Sequence, residues 1–189
     1  MDDFDGTAWI GLTPFLLVGL RPVLVPRALG MSFPETNLRT YVRGPNGPGI
    51  WFFSLDAARL TAVVGARAAY GLPYYWSDME VRITGGEVHY FSNRGGRAKV
   101  RIRIAKENPI RQRSVLETFL TERYRLYSTL RSRLISAEVR HPPWELNQAR
   151  ALEFEETLRR AAGLEFPSSD FLVHHSAGVD AKIGLPRWV

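Results

Sequence analysis

The sequence predicts a mainly β protein, an antiparallel barrel or sandwich with helices packed outside it. Three observations carry this prediction: segments of strand length alternate between polar and apolar residues, Gly- and Pro-rich turns recur at short intervals, and helix signals are few. The 189 residues fit one domain, 1–189, and the composition of 45% hydrophobic and 23% charged residues can bury a core.

Residues 3–25 mix apolar runs with Gly6, Gly11, Pro14 and Pro22, which suits strands and bends. Residues 33–43 alternate as a strand, with Glu35, Asn37, Arg39, Tyr41 and Arg43 on one face and Thr36, Leu38, Thr40 and Val42 on the other. The Gly-Pro-Asn-Gly-Pro-Gly run at 44–49 turns the chain into 50–55, which is apolar on both faces (Trp51, Phe53 and Leu55 against Ile50 and Phe52) and reads as the central partner of a hairpin. Asp56 is placed to cap a helix running to Tyr70 and ended by Gly71 and Pro73.

A meander follows over 79–105, turned by Gly85-Gly86 and by Gly95-Gly96. Its last strand sets Ala98, Val100, Ile102 and Ile104 against Arg97, Lys99, Arg101 and Arg103. Ser114 and Glu117 form a capping box that opens a short helix. Strands are expected at 126–130 and 134–139, a second long helix at 147–163 capped by Asn147 with Pro167 beyond it, and a closing strand at 171–174.

The sequence excludes several functions. It has no cysteine, so disulfide scaffolds, thiol nucleophiles and thiolate metal sites are absent. Neither a phosphate-binding Gly-Lys-Ser loop nor a Gly-x-Ser-x-Gly elbow occurs. His89, His141, His174 and His175 lack metal-ligand spacing, and no metal or cofactor is called for. The longest nearly apolar stretch, 8–20, contains Thr13 and Pro14, meets Arg21 and is too short to span a bilayer as a helix. Asp2, Asp3 and Asp5 stand where a secretory signal carries basic residues, so a cytoplasmic location without membrane partners is expected.

The net charge is +6, and 22 of the 25 basic residues are Arg. A coding bias explains that preference, as does a use of the planar guanidinium for carboxylates or phosphates. The stripe Arg97, Lys99, Arg101 and Arg103 supports an alternative, disfavoured reading as a nucleic-acid surface. For the strand 33–43, periodicity alone exposes Glu35, Asn37, Arg39 and Tyr41, whereas the other arrangement turns them into a cavity.

Longer stretches are more specific. Phe-Pro-Glu-Thr-Asn-Leu-Arg-Thr-Tyr-Val-Arg at 33–43, Gly-Ile-Trp-Phe-Phe-Ser-Leu-Asp-Ala at 49–57 and Ala-Arg-Ala-Ala-Tyr-Gly-Leu-Pro-Tyr-Tyr at 66–75 resemble the uncharacterised YqjF-like family of bacterial proteins. So do Phe-Leu-Thr-Glu-Arg-Tyr at 119–124 and His-Pro-Pro-Trp at 141–144, and the resemblance runs from about residue 4 to the C-terminus. Members usually carry some tens of residues before the Asp-Gly-x-Ala-Trp stretch, here at 5–9, so an N-terminal segment shorter than usual is expected.

That family resembles a branch of the acetoacetate decarboxylase-like superfamily. The resemblance implies an acetoacetate decarboxylase-like antiparallel barrel with two or three helices outside, a small-molecule cavity and a homo-oligomer. In the superfamily a Gly-Phe-Pro-Lys-Lys segment supplies a Schiff-base lysine. Here the segment is Gly71-Leu-Pro-Tyr-Tyr75, and a phenol forms no imine. The glutamate of the preceding strand is kept as Glu35.

The resemblance therefore favours the cavity, with Glu35, Tyr74 and Tyr75 as acid–base groups. Asn37, Arg39, Tyr41, Trp51 and Phe53 are the expected ligand contacts, and the ligand is a small anionic or carbonyl compound. If the protein is an enzyme, the resemblance points to a lyase-like or isomerase-like catalyst without a Schiff-base lysine.

Overall fold

A computed structural model describes residues 1–20, 30–165 and 171–189. The N-terminal strands are β1 (Asp3–Phe4), β2 (Thr7–Ala8) and β3 (Ile10–Leu20). They meet the expectation of strands and bends as far as Leu20, while residues 21–25 and Pro167 lie outside the described residues. The expected hairpin is β4 (Met31–Gly44) and β5 (Gly47–Ala57), turned by Gly47 at φ +102°.

Strand β5 continues through Asp56 and Ala57 because both edges are paired there: Ala57 opposes Glu35 of β4 on one side and Trp76 of β6 (Tyr74–Trp76) on the other. Asp56 is therefore a strand residue and not a helix cap. Helix α1 (Leu60–Tyr70) starts later, behind Arg59, which makes no side-chain cap bond. Gly71 ends it in the left-handed conformation at φ +59°, where a Cβ would lie 2.1 Å from the Thr129 carbonyl oxygen. Any side chain there would push the helix off the sheet.

The meander is β7 (Asp78–Thr84), β8 (Glu87–Asn93) and β9 (Lys99–Pro109). Helix α2 (Val115–Thr121) has the full Ser114/Glu117 capping box. Strands β10 (Arg125–Leu130) and β11 (Arg133–Arg140) form the next hairpin.

The expected long helix at 147–163 is instead β12 (Leu146–Glu156) followed by one turn, α3 (Leu158–Ala161). Its Ala, Leu, Glu and Arg residues favour a helix in isolation, but pairing along the whole of β9 overrides that preference. Two register shifts, between Asn147 and Ala149 and between Ala151 and Glu153, hide the two-residue period. Asn147 does not cap a helix; its amide reaches the His175 carbonyl oxygen at 3.4 Å. The closing strand begins at the end of its expected span, as β13 (His174–Ser176), and β14 (Lys182–Ile183) and β15 (Arg187–Trp188) then edge β11.

Strands β1 and β2 pair with each other, and the other strands form two curled, mostly antiparallel sheets, one of eight strands and one of five. The eight-stranded sheet runs β14-β11-β10-β5-β4-β3, with β15 on β11 and β6 on β5; the five-stranded sheet runs β13-β12-β9-β8-β7. Between them lies a core of Leu38, Tyr90, Ala98, Val100, Ile102 and Leu158, with Phe53 packed against it. On its other face the eight-stranded sheet packs Tyr41, Leu55 and Leu72 beneath Phe119 and Leu120 of α2, and Ala57 beneath Val63 of α1. Burying one face under a second sheet and the other under helices is what makes β4 and β5 inaccessible on both sides. Among the described residues no helix is long and apolar enough to cross a membrane.

Candidate functional site

Along β4, Glu35, Asn37, Arg39 and Tyr41 point to the helix-covered face, and Thr36, Leu38 and Thr40 point to the five-stranded sheet. Periodicity alone would have exposed the polar set. The structure buries it: Glu35 is 4% accessible, Asn37 6% and Tyr41 2%, with Arg39 half-buried. Strand β6 settles the two tyrosines. Tyr74 sits opposite Leu55, on the face of Asn37 and Glu35, and its hydroxyl donates to Glu35 Oε2 at 3.0 Å. Tyr75 sits opposite Asp56, on the other face.

Desolvation dominates the chemistry of the first pair. Burial pushes the Glu35 carboxyl from 4.5 up to about 7, against the opposing pull of the Tyr74 hydrogen bond. Burial, with the nearby Glu35 charge, holds the Tyr74 phenol well above its usual range. The Tyr90 hydroxyl donates to the Glu35 carbonyl oxygen, fixing the strand at that residue. No cation pairs with the Glu35 carboxyl among the described residues, so no opposite charge offsets the upward push of burial.

Tyr75 belongs to a different arrangement. The Arg94 guanidinium lies 3.7 Å over its ring, and Arg94 Nε donates to Asp56 Oδ1 at 2.9 Å. Arg94 also reaches Ser54, and Ser92 donates to Asp56 Oδ2 at 3.2 Å. Trp51 opposes Thr40, and Phe53 packs in the inter-sheet core, so both also lie on the face away from Glu35. The apolar wall beside Arg39 and Tyr41 is Phe52 and Leu55 instead, because Phe53 is the extra residue of a bulge that brings Phe52 opposite Arg39. The expected set therefore divides. Glu35, Asn37, Arg39, Tyr41 and Tyr74 share one face; Tyr75, Trp51 and Phe53 do not.

Trp9 and Gly11 were not among the expected site residues: β3 brings Gly11 to this same face, opposite Arg39, and Trp9, just before β3 in the Asp-Gly-x-Ala-Trp stretch, packs there too. The lysines lie elsewhere. Lys99 pairs with Glu155 at 3.2 Å, and Lys106 and Lys182 are exposed.

The arginine stripe of β9 is matched by carboxylates on the neighbouring strands: Arg101 with Glu153 at 3.8 Å and Arg103 with Glu87 at 3.7 Å, beside the Lys99–Glu155 pair. A depression of about 280 Å³ on this outer face is lined by Arg82, His89, Phe91, Arg101 and Arg103 together with Glu80 and Glu153, charges of both signs. It does not adjoin Glu35.

A family model of uncharacterized conserved proteins, DUF2071, matches residues 1–180. The chain belongs to the DUF2071 family. It is 40% identical over 195 residues to the uncharacterized protein YqjF of Bacillus subtilis (strain 168), covering all of this chain and 80% of that protein. Among solved structures, acetoacetate decarboxylase from Legionella pneumophila superposes with a TM-score of 0.60 at 14% identity, over 85% of this chain and 68% of that one. The enduracididine biosynthesis enzyme MppR, in its complex with pyruvate, superposes at 0.51 and 14% identity, over 83% of this chain and 63% of that one. The DUF2071 chain thus has an acetoacetate decarboxylase-like fold, as the resemblance implied. Tyr74, the residue after the Gly71-Leu72-Pro73 run, is the phenol bonded to Glu35.

Proposed function

We propose that the Glu35–Tyr74 face binds a small anionic or carbonyl compound and moves a proton on it. One observation carries this reading: a carboxyl buried without a cation, held near pH 7 by its surroundings and bonded to a phenol. A general base works best when its pKa lies near the working pH, and burial is how a glutamate reaches that range. The carboxylate form takes a proton from the carbon beside a carbonyl. The bond to hydrogen breaks, its electron pair passes into the enolate, and Tyr74 donates a hydrogen bond to the enolate oxygen. Returning the proton completes an isomerisation or exchange. The amine route of the superfamily is closed at Tyr74 and Tyr75.

Hydrogen–deuterium exchange on the methyl group of a 2-oxo acid in D2O, followed by proton NMR, tests this. Exchange should rise with pH through about 7 as Glu35 ionises, and Glu35→Gln should slow it about 10²- to 10⁴-fold. Exchange that is equal in the native chain and in Glu35→Gln removes the proposal. So does a borohydride-stable adduct on Lys99, Lys106 or Lys182.

A further inference from the structure

Eight buried side-chain nitrogen or oxygen atoms have no hydrogen-bond partner among the described residues, and three of them share one patch of one face: Trp9 Nε1, Asn37 Oδ1 and Arg39 Nε. Such atoms are costly and rare, so three together call for an explanation. The patch is organised around Gly11. That residue opposes Arg39 across the β3–β4 ladder, and Trp9 and Tyr41 flank it on the same face. A Cβ built on Gly11 would lie 3.2 Å from the Tyr41 hydroxyl oxygen and 3.4 Å from Arg39 Nε. With no side chain of its own, Gly11 lets the Tyr41 hydroxyl and the Arg39 guanidinium pack close against its backbone and so brings them together. Arg39 is weakly engaged: its one hydrogen bond is a long one, 3.4 Å from Nη2 to the Leu120 carbonyl oxygen, and it makes no ion pair with a carboxylate among the described residues. A half-buried guanidinium without a carboxylate is an anion site by its chemistry.

We propose that the surface over Gly11 is a carboxylate subsite, with Arg39 Nε–H, Trp9 Nε1–H and the Tyr41 hydroxyl donating to the ligand. Asn37 Oδ1, two residues along the strand and about 7 Å away at the backbone, accepts from a hydroxyl or amino group next to that carboxylate. The class of ligand is thus a 2-hydroxy or 2-amino carboxylate of a few carbons. This rests on reading the β4 face as a small-molecule site and adds its polar specificity. Gly11 is the residue that sets it, since a Cβ there would press on the Tyr41 hydroxyl and on Arg39 Nε and force the two donors apart.

The test is binding, which separates it from proton transfer at Glu35. Lactate is titrated into ¹⁵N-labelled protein and the indole N–H resonance of Trp9 is followed, assigned by its loss in Trp9→Phe. The resonance should shift saturably with lactate, bind propionate at least severalfold more weakly for want of the donor to Asn37, and ignore 1,2-propanediol, which has no anion. Arg39→Gln should raise the lactate Kd about tenfold or more, and Gly11→Ala should do the same while the other indole resonances keep their positions. An unmoved Trp9 resonance, an unchanged Kd in Arg39→Gln, or inorganic phosphate binding as tightly as lactate overturns the assignment. If lactate fails while exchange at Glu35 persists, only the subsite falls. If lactate binds while exchange is absent, only the proton-transfer reading falls.

Discussion

Glu35 and Asp56 are two carboxyl groups on neighbouring strands of one hairpin, 4% and 1% accessible, and they face opposite sides of the sheet. Asp56 meets a guanidinium and the Ser92 hydroxyl, and that guanidinium also reaches Ser54 and lies over the Tyr75 ring. Glu35 meets a single phenol. The first is a structural arrangement, since every strong group in it has an opposite charge or a donor, and Arg94 ties the five-stranded sheet to β5 of the other. The second has no opposite charge beside it among the described residues, so burial is opposed only by the Tyr74 hydrogen bond. Burial alone therefore does not mark a functional carboxylate; the difference lies in what burial is matched with.

Breaking the matched side should give the largest effect. Arg94→Leu leaves Asp56 buried without its cation, and removing one partner of such a pair costs about 3–5 kcal/mol. Urea unfolding should report a loss of that order, and Asp56→Leu combined with Arg94→Leu should recover much of it. A single-mutant loss under about 1 kcal/mol would show that the pair behaves like a surface one and that the contrast with Glu35 is not one of compensation.

The unmatched side should behave in the opposite sense. A raised carboxyl pKa means that the folded chain holds the proton more tightly than the unfolded chain. The stabilising contribution of the protonated group is complete below about 4.5 and is lost as pH rises through about 7. Across that window ionisation weakens folding by about 3 kcal/mol. Glu35→Gln has no such proton, so it should match the native chain near pH 4.5 and exceed its stability by about 2–3 kcal/mol at pH 8, read from unfolding midpoints at both pH values. Equal stability at pH 8 would mean that Glu35 carries no desolvation penalty. Tyr74→Phe sharpens the same point at smaller scale. Loss of the hydroxyl removes the interaction that lowers the Glu35 pKa, so the midpoint of the exchange profile should move upward; a downward move would show that the phenol does not stabilise the carboxylate.

Much of this hairpin was legible in the residues. The alternation of 33–43, the turn at 44–49 and the doubly apolar strand after it specify β4 and β5, and each has a local physical cause. The side on which the polar face lies was not legible, because period two says only that two faces differ. Burial under α2 depends on a helix some eighty residues later. Nor could the pairing of Tyr74 with Glu35 and of Tyr75 with Asp56 be read locally, since it follows from the parallel register of β6 on β5. The bulge at Phe53, which exchanged Phe53 for Phe52 as a neighbour of Arg39, leaves no mark in composition. The stretch 147–156 failed in a different way: its helix preference was read correctly and then overruled by its partner strand.

That overruling sets the scale for the smallest effect. β12 places Glu153 and Glu155 opposite Arg103 and Arg101 in the ladder, with Glu155 reaching Lys99, so its charge order complements β9. The Lys99–Glu155 pair is open to water, at 36% and 53% side-chain accessibility, and such pairs contribute about 0–1 kcal/mol. Lys99→Ala should therefore change stability by less than about 1 kcal/mol, and the change should shrink further in 0.5 M salt as screening takes hold. A loss near that of Arg94→Leu would contradict the distinction between matched charges inside the sheets and matched charges on them. It would also mean that cross-strand charge, and not the backbone ladder with Phe154 opposite Ile102, holds a helix-prone sequence in a strand.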